Sequence, residues 1–302
     1  MTSDGPARYR TQSPKTMTSK ILKKIQLSEN VYRMTLEAPL IASARRAGQF
    51  VILRCDSEFG ERIPLTIADA DASSGTIDIV FQTVGVSTKR LSRLNEGDTL
   101  PDLVGPLGRP TEIPAGDGDR VIVVGGGIGV APAHPIAQAM KAAGNRVTVI
   151  MGARTKDLVI MEDEMREAAD ELIVVTDDGS YGRRGLVTEP LKEALEAADG
   201  RIAEVVVVGP PVMMKFCALA TKPFGVKTIA SLNAIMIDGT GMCGGCRVTV
   251  GGETKFVCVD GPEFDAHQVD WDLMLKRMGA FKPQEQAARE KACRLLEGAG
   301  RT

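Results

Sequence analysis

Only two of the 302 residues are histidine, and neither His134 nor His267 has neighbours that complete a metal-binding or triad set. Charge of one sign is missing as well. Thirty-seven Lys and Arg against 39 Asp and Glu leave a formal net charge of −2, which argues against nucleic acid or an acidic membrane surface as a partner. There is no run of about 18 apolar residues, so no membrane insertion is expected. The opening MTSDGPARYRTQSPKTM lacks the apolar core of a signal peptide and reads as a disordered tail over residues 1–17. Cysteine is sparse too. Of six, Cys55, Cys217 and Cys293 are scattered, which excludes a disulfide framework and points to a reducing cytoplasm. What remains, 43% hydrophobic and 25% charged, is ordinary globular composition on a chain long enough for two or three domains.

The other three cysteines fall in one glycine-rich stretch, MIDGTGMCGGCRVTVGGETKFVCVDG, residues 236–261. Plant-type [2Fe-2S] proteins space their ligands C-x4-C-x2-C with a fourth cysteine further on. Cys243 and Cys246 supply the C-x2-C pair, Cys258 the distant ligand, and Asp238 stands where the first cysteine belongs. Asp238, Cys243, Cys246 and Cys258 therefore read as a three-thiolate, one-carboxylate set. Gly239, Gly241, Gly244 and Gly245 let the backbone wrap a cluster and aim N–H groups at its sulfurs. A carboxylate matches the charge of a thiolate but is harder, so the potential is expected at or below the roughly −400 mV of plant-type clusters. Two other readings stay open here: Cys3Asp can hold zinc, and Asp238 can be a loop residue.

Upstream, residues 18–114 carry short apolar runs separated by turn signals, the pattern of a small barrel or sandwich. Within it, Arg62-Ile63-Pro64-Leu65-Thr66 offers an always-charged fork for a pyrophosphate, a fixed backbone, and a hydroxyl for an isoalloxazine. Gly85-Val86-Ser87-Thr88 opens a short helix whose hydroxyls and N–H groups suit a phosphate, or else Ser87 caps that helix. The pattern then changes over residues 115–230 to alternating strands and helices, which implies a doubly wound sheet. Val121–Val124 is the continuous apolar run of a buried parallel strand. It leads into Gly125-Gly126-Gly127-Ile128-Gly129, a turn that brings N–H groups to a pyrophosphate, and a helix to Ala143. Further helices are expected over 161–172 and around Val187, Leu191 and Leu195. Asp177, Asp178, Gly209 and Pro210 lie at strand ends where ligands bind in such sheets, with a capping turn the alternative for the two aspartates. Met213 and Met214 are expected in the core. Residues 231–281 form the cluster segment, with strands at 247–250 and 255–258 joined at Gly251-Gly252. Residues 282–302 read as an amphipathic helix whose Ala288, Cys293, Leu295 and Leu296 pack back on the chain, with docking on a partner the alternative.

In this order, R-x-P-L-T, G-V-S-T, GGGIGVAP, TDDGSYG and a C-terminal cysteine loop resemble the ferredoxin–NADP reductase superfamily, and within it the electron-transfer subunit family of dihydroorotate dehydrogenase. The segment SLNAIMIDGTGMCGGCRVTVGGETKFVCVDGPEFDAHQVDW is similar to the small subunits of the NADH-dependent reduced ferredoxin:NADP oxidoreductase branch, also known as sulfide dehydrogenase beta subunits. The likeness runs from Lys20 to Phe281. It implies an N-terminal FAD-binding β-barrel, a Rossmann-like NAD(H)-binding domain, and a small C-terminal [2Fe-2S] domain with one aspartate ligand. It also implies a larger flavin and iron–sulfur partner subunit, with ferredoxin reached through the complex. Dihydroorotate-type relatives carry four cysteines, so Asp238 points to the first branch. NADH is favoured, with NADPH the alternative, since Arg154, Arg183 and Arg184 lie near the nucleotide strands. The rival expectations are a dihydroorotate dehydrogenase subunit serving pyrimidine synthesis, and a non-catalytic zinc- or cluster-binding sensor.

Overall fold

Alternation of buried and exposed positions builds the first half of the chain. In the computed structural model, which describes residues 19–56, 60–114, 116, 118–198, 202–288 and 290, this half comprises β1 (Ser19–Ser28), β2 (Val31–Glu37), α1 (Pro39–Ala44), β3 (Phe50–Arg54), β4 (Ile63–Asp71), β5 (Thr76–Gln82), α2 (Val86–Leu91), β6 (Thr99–Leu100) and β7 (Asp102–Leu107). The strands form one antiparallel sheet in the order β6-β1-β2-β5-β4-β3-β7. Its two edge strands follow each other in the chain, and the sheet curls into a nearly closed barrel. Ile21, Met34, Leu36, Val51, Leu53, Ile77, Ile79 and Phe81 fill the interior and are essentially inaccessible to solvent. Each such side chain contributes about 1.5–3 kcal/mol on burial.

The second half is β8 (Arg120–Gly126), α3 (Val130–Ala142), β9 (Arg146–Ala153), α4 (Glu162–Ala168), β10 (Glu171–Thr176), β11 (Arg183–Arg184), α5 (Thr188–Glu196), β12 (Ile202–Val208), α6 (Pro211–Thr221), β13 (Thr228–Ser231), β14 (Arg247–Val250), β15 (Glu253–Phe256), α7 (Val257–Asp260), β16 (Glu263–Asp265) and α8 (Trp271–Met278). The main sheet runs β11-β10-β9-β8-β12-β13-β16 and is parallel except for β16. Valines fill β8 and β12 because both faces are covered by helices, so no polar alternation is possible there.

Several expectations need correction. The helix expected over 161–172 ends at Ala168, and Leu172 lies in β10. The strand expected over 255–258 ends at Phe256. Cys258 sits on the short helical turn α7, which returns its sulfur toward Cys246. The methionine pair splits: Met214 is buried in the core, while Met213 lines a cavity. Residues 282–288 are helical, but Ala288 is exposed and does not pack back on the chain. Cys293, Leu295, Leu296 and the tail 1–17 lie outside the described residues.

Two contacts fix the barrel to the parallel sheet. Nδ1 of the buried His134 on α3 lies 3.2 Å from the Ala68 carbonyl of β4. Arg33 on β2 pairs with Glu164 on α4 at 2.6 Å, and its guanidinium holds the Glu164 carboxyl below the usual range against the opposing effect of burial. The cluster segment is tied in too, because β16 closes the edge of the main sheet against β13.

Candidate functional site

One cavity of about 1280 Å³ opens between the barrel and the parallel sheet. Pockets for a single small ligand are typically about 300–1,000 Å³, so this one has room for more than one. Pro64, Leu65 and Thr66 of β4 line its barrel side, with Thr66 paired to Phe50 in β3. Gly126, Gly127 and Gly129 line it where β8 turns into α3. Asp177, Gly209 and Pro210 face it from the ends of β10 and β12. Asn233, Ala234, Met236 and Pro262, from the cluster segment, complete the wall. Barrel, parallel sheet and cluster segment thus meet at one space. Of the expected cofactor residues, Arg62, Gly85, Ser87, Thr88, Gly125 and Asp178 do not line it.

The glycine turn is built by close approach. A Cβ at Gly129 would strike the Val208 carbonyl oxygen and lie 2.6 Å from the Gly209 Cα. Only a residue without a side chain lets the start of α3 sit against the end of β12. Asp177 and Asp178 differ in role. Asp178 accepts the backbone N–H and the hydroxyl of Ser180 at 2.9 and 2.7 Å, and the hydroxyl bond holds its carboxyl below the usual range. It therefore builds the turn, while Asp177 faces the cavity. Among the candidate cations, Arg154 lines the cavity, whereas Arg183 is held by Glu193.

The remaining barrel residues gather beside the cavity. Arg62 Nη1 lies 2.8 Å from Asp102, which also stands 3.9 Å from Arg54 Nε. Ser87 donates to Glu61 and does not cap α2. Thr88 is the capping side chain, accepting the Gly85 N–H at 3.1 Å. Asp102 thus already engages the Arg62 guanidinium and Glu61 the Ser87 hydroxyl, while Thr88 bonds the start of its own helix.

In the cluster loop the four expected ligands form two pairs. The Sγ atoms of Cys246 and Cys258 are 3.2 Å apart and buried. Burial, reinforced by Cys246, pushes the Cys258 thiol up to about 12. A thiol held up in this way gives a thiolate ligand only when a cation compensates the charge. Cys243, by contrast, is exposed. Its backbone N–H donates to Asp238 Oδ2 at 2.8 Å, and the Thr240 N–H donates to Oδ1 at 2.9 Å. The Thr240 bond holds the Asp238 carboxyl below its ordinary range. Backbone N–H groups also point at sulfur, from Gly245 to Cys243 and from Cys258 to Cys246, both at 3.4 Å. Among the described residues no three His, Cys, Asp or Glu side chains converge on a single ion. Two ligand pairs with N–H groups at sulfur fit a two-iron, two-sulfide unit better than one zinc. The loop also abuts the barrel, since a Cβ at Gly239 would lie 2.8 Å from Ile52 and 2.9 Å from Leu107.

Sequence reading missed several cavity residues, including Val31, Val80, Gln82, Met213 and Phe216. Each is an ordinary strand or helix residue, and only the packing of barrel on sheet turns it toward ligand space. For Phe216 a signal existed: Val212, Phe216 and Leu219 form an exposed apolar stripe on α6.

Comparison with known proteins bears on the same segments. A family model for the iron–sulfur cluster binding domain of dihydroorotate dehydrogenase B matches residues 233–270. One for an oxidoreductase NAD-binding domain matches residues 123–218. A Thermotoga maritima protein described as a dihydroorotate dehydrogenase B (NAD(+)) electron transfer subunit homolog is 48% identical over 285 residues, covering 94% of this chain and 98% of its own. The corresponding subunit of Desulforamulus reducens is 33% identical over 264 residues, covering 85% and 99%. A solved chain from the structure of the NADH-dependent reduced ferredoxin-NADP oxidoreductase superposes with a TM-score of 0.84 at 46% identity, covering 91% of this chain and 98% of that one.

Proposed function

The chain belongs to the family of the electron-transfer subunits of dihydroorotate dehydrogenase B, and from that premise we propose that it passes electrons between NAD(H), FAD and a [2Fe-2S] cluster for a larger flavin and iron–sulfur partner subunit. The observation that carries this reading is the single cavity walled by barrel, glycine turn and cluster segment together. A nicotinamide and a flavin bound there, with an iron–sulfur centre held outside the cavity by the cluster loop, would supply hydride transfer, conversion of an electron pair to single electrons, and one-electron carriage.

The chain's own residues have separate tasks. Gly126, Gly127 and Gly129 bring backbone N–H groups and the start of α3 to the nucleotide pyrophosphate. Asp177 accepts hydrogen bonds from the adenosine ribose, which favours NADH over NADPH. Pro64, Leu65 and Thr66 back the flavin ring, the Thr66 hydroxyl serving as its polar contact. Arg62 and the Gly85–Thr88 turn take the flavin phosphates, with Arg62 exchanging Asp102 for phosphate. Asp238, Cys243, Cys246 and Cys258 hold the cluster. His134 and the Arg33–Glu164 pair keep the barrel in register with α3 and α4, so that the two halves of the cavity meet at fixed spacing.

Support for the ferredoxin:NADP-type partner comes from the 46% identical solved chain and from Asp238 in the first ligand position. Ferredoxin would be reached through that complex. The dihydroorotate dehydrogenase reading keeps the same chemistry within this subunit and changes only the partner. Isolation of the native complex tests both. A large flavin and iron–sulfur partner supports the proposal, and an orotate-forming barrel partner replaces it. A colourless protein with tightly bound zinc would favour the sensor reading. No helix among the described residues is long and apolar enough to cross a membrane, in keeping with a proposed cytoplasmic site.

A further inference from the structure

The two residues between Cys243 and Cys246 are glycines, and an arginine from a different element holds each of their carbonyls. Arg247, first residue of β14, places Nη1 3.2 Å from the Gly244 oxygen. Arg277, in the last turn of α8, places Nη2 3.4 Å from the Gly245 oxygen. Among the described residues neither is in an ion pair with a carboxylate. A third arginine, Arg109, behaves differently: it reaches the Val259 carbonyl at 3.3 Å but has Asp260 at 3.8 Å to balance it. Two guanidinium groups without a carboxylate partner among the described residues therefore stand at the C-x2-C turn, beside four side chains that are all anionic as ligands.

We propose that Arg247 and Arg277 are positioning residues that raise the redox potential of the centre held by this loop. The inference rests on the cluster reading given above. The couple transfers one electron: the reduced form carries one more negative charge, no bond forms or breaks, and no proton is required. A fixed cation nearby stabilises the form with the extra negative charge. The carbonyl contacts matter because they anchor each guanidinium at a set distance from the turn. They also satisfy carbonyl dipoles whose negative ends would otherwise act against the added electron. This offsets the lowering expected from a hard carboxylate at Asp238, so the two features pull the potential in opposite directions.

The test is a redox titration of the iron–sulfur EPR signal in the full-length protein, after iron and sulfide have been assayed. Arg247→Gln and Arg277→Gln keep a hydrogen-bond donor and remove the charge; Arg247→Lys and Arg277→Lys keep the charge. Each Gln variant is expected to shift the reduced-to-oxidised ratio at fixed potential by about tenfold, a fall of about 59 mV in midpoint for a one-electron couple. The Lys variants should titrate near the wild type. Gln variants that carry the cluster and titrate at the wild-type midpoint overturn the inference, as do Lys variants that fall as far as Gln. If the Gln variants fail to hold a cluster, the Lys variants decide by pH. A lysine loses its charge near about pH 10.4 while an arginine keeps it. The midpoint of each Lys variant should fall below that of the wild type as pH rises through that range, and Lys variants that stay at the wild-type midpoint there overturn the inference. Absence of any cluster from the wild-type protein would instead refute the functional reading itself, which separates the two failures.

Discussion

The sulfur atoms of Cys246 and Cys258 lie 3.2 Å apart, although eleven residues separate them in the chain. Strand β14, the Gly251-Gly252 hairpin, strand β15 and the turn α7 exist in this arrangement to close that distance. Replacing Cys258 by Ser should lower iron content to below about one-tenth of the wild type, because folding of the loop and metal binding are coupled. The control is Cys217, whose thiol is pushed up to about 12 by burial alone in the core of α6. Cys217→Ala should leave iron content unchanged. Iron and sulfide assays of the two purified variants check the contrast.

Gly129 and Gly126 offer a second contrast. A Cβ at Gly129 meets backbone of Val208 and Gly209, which cannot move aside. A Cβ at Gly126 meets chiefly the sulfur end of Met213, a flexible side chain. Gly129→Ala should therefore destabilise the fold by about 2–3 kcal/mol and weaken NADH binding, whereas Gly126→Ala should cost about 1 kcal/mol or less. Urea unfolding and fluorescence titration with NADH measure both.

Asp177 faces the cavity and Asp178 is consumed by Ser180. Asp177→Ala should raise the KM for NADH by about tenfold with little change in kcat, and narrow the preference over NADPH. Asp178→Ala should act on stability of the turn and leave that preference in place. Steady-state reduction of an artificial acceptor with each nucleotide separates the two residues.

The junction of barrel, sheet and cluster segment contains a half-buried acid. Glu263 accepts the Thr111 hydroxyl at 2.6 Å, and burial pushes its carboxyl up to about 7, with Glu204 and Glu112 adding to the effect and Lys227 opposing it. The folded state thus holds a proton that the unfolded chain releases near pH 4.3. Stability from this group is complete below that value and is lost as pH rises through about 7. Across this window the loss is at most about 4 kcal/mol. Glu263→Gln should flatten the decline in unfolding free energy between pH 5 and pH 8, followed by urea denaturation across that range.

How far the sequence reveals all this depends on the kind of interaction. The run 121–124 and its glycine turn are legible because a strand covered on both faces must be apolar throughout, and a tight turn into a helix needs glycine. Cys243, Cys246 and Cys258 are legible because ligand spacing is local. The return of Cys258 on a helical turn is not, since Thr254 to Cys258 keeps a strand-like pattern until the chain must bend its sulfur inward. Strand β16 escapes notice because Glu263-Phe264-Asp265 is short and acidic and exists only by pairing with β13. Ser87 reads as a cap in sequence, and its bond to Glu61 depends on a loop that ends 26 residues earlier.

The most direct measurement of the central claim is an anaerobic titration of the reconstituted, full-length protein with NADH, followed by visible absorbance and EPR together. The account predicts loss of flavin absorbance with the first equivalents and the appearance of a reduced [2Fe-2S] signal in the same titration. A protein that binds neither flavin nor iron, or one whose flavin is reduced while its iron–sulfur centre never accepts an electron from NADH, would contradict it.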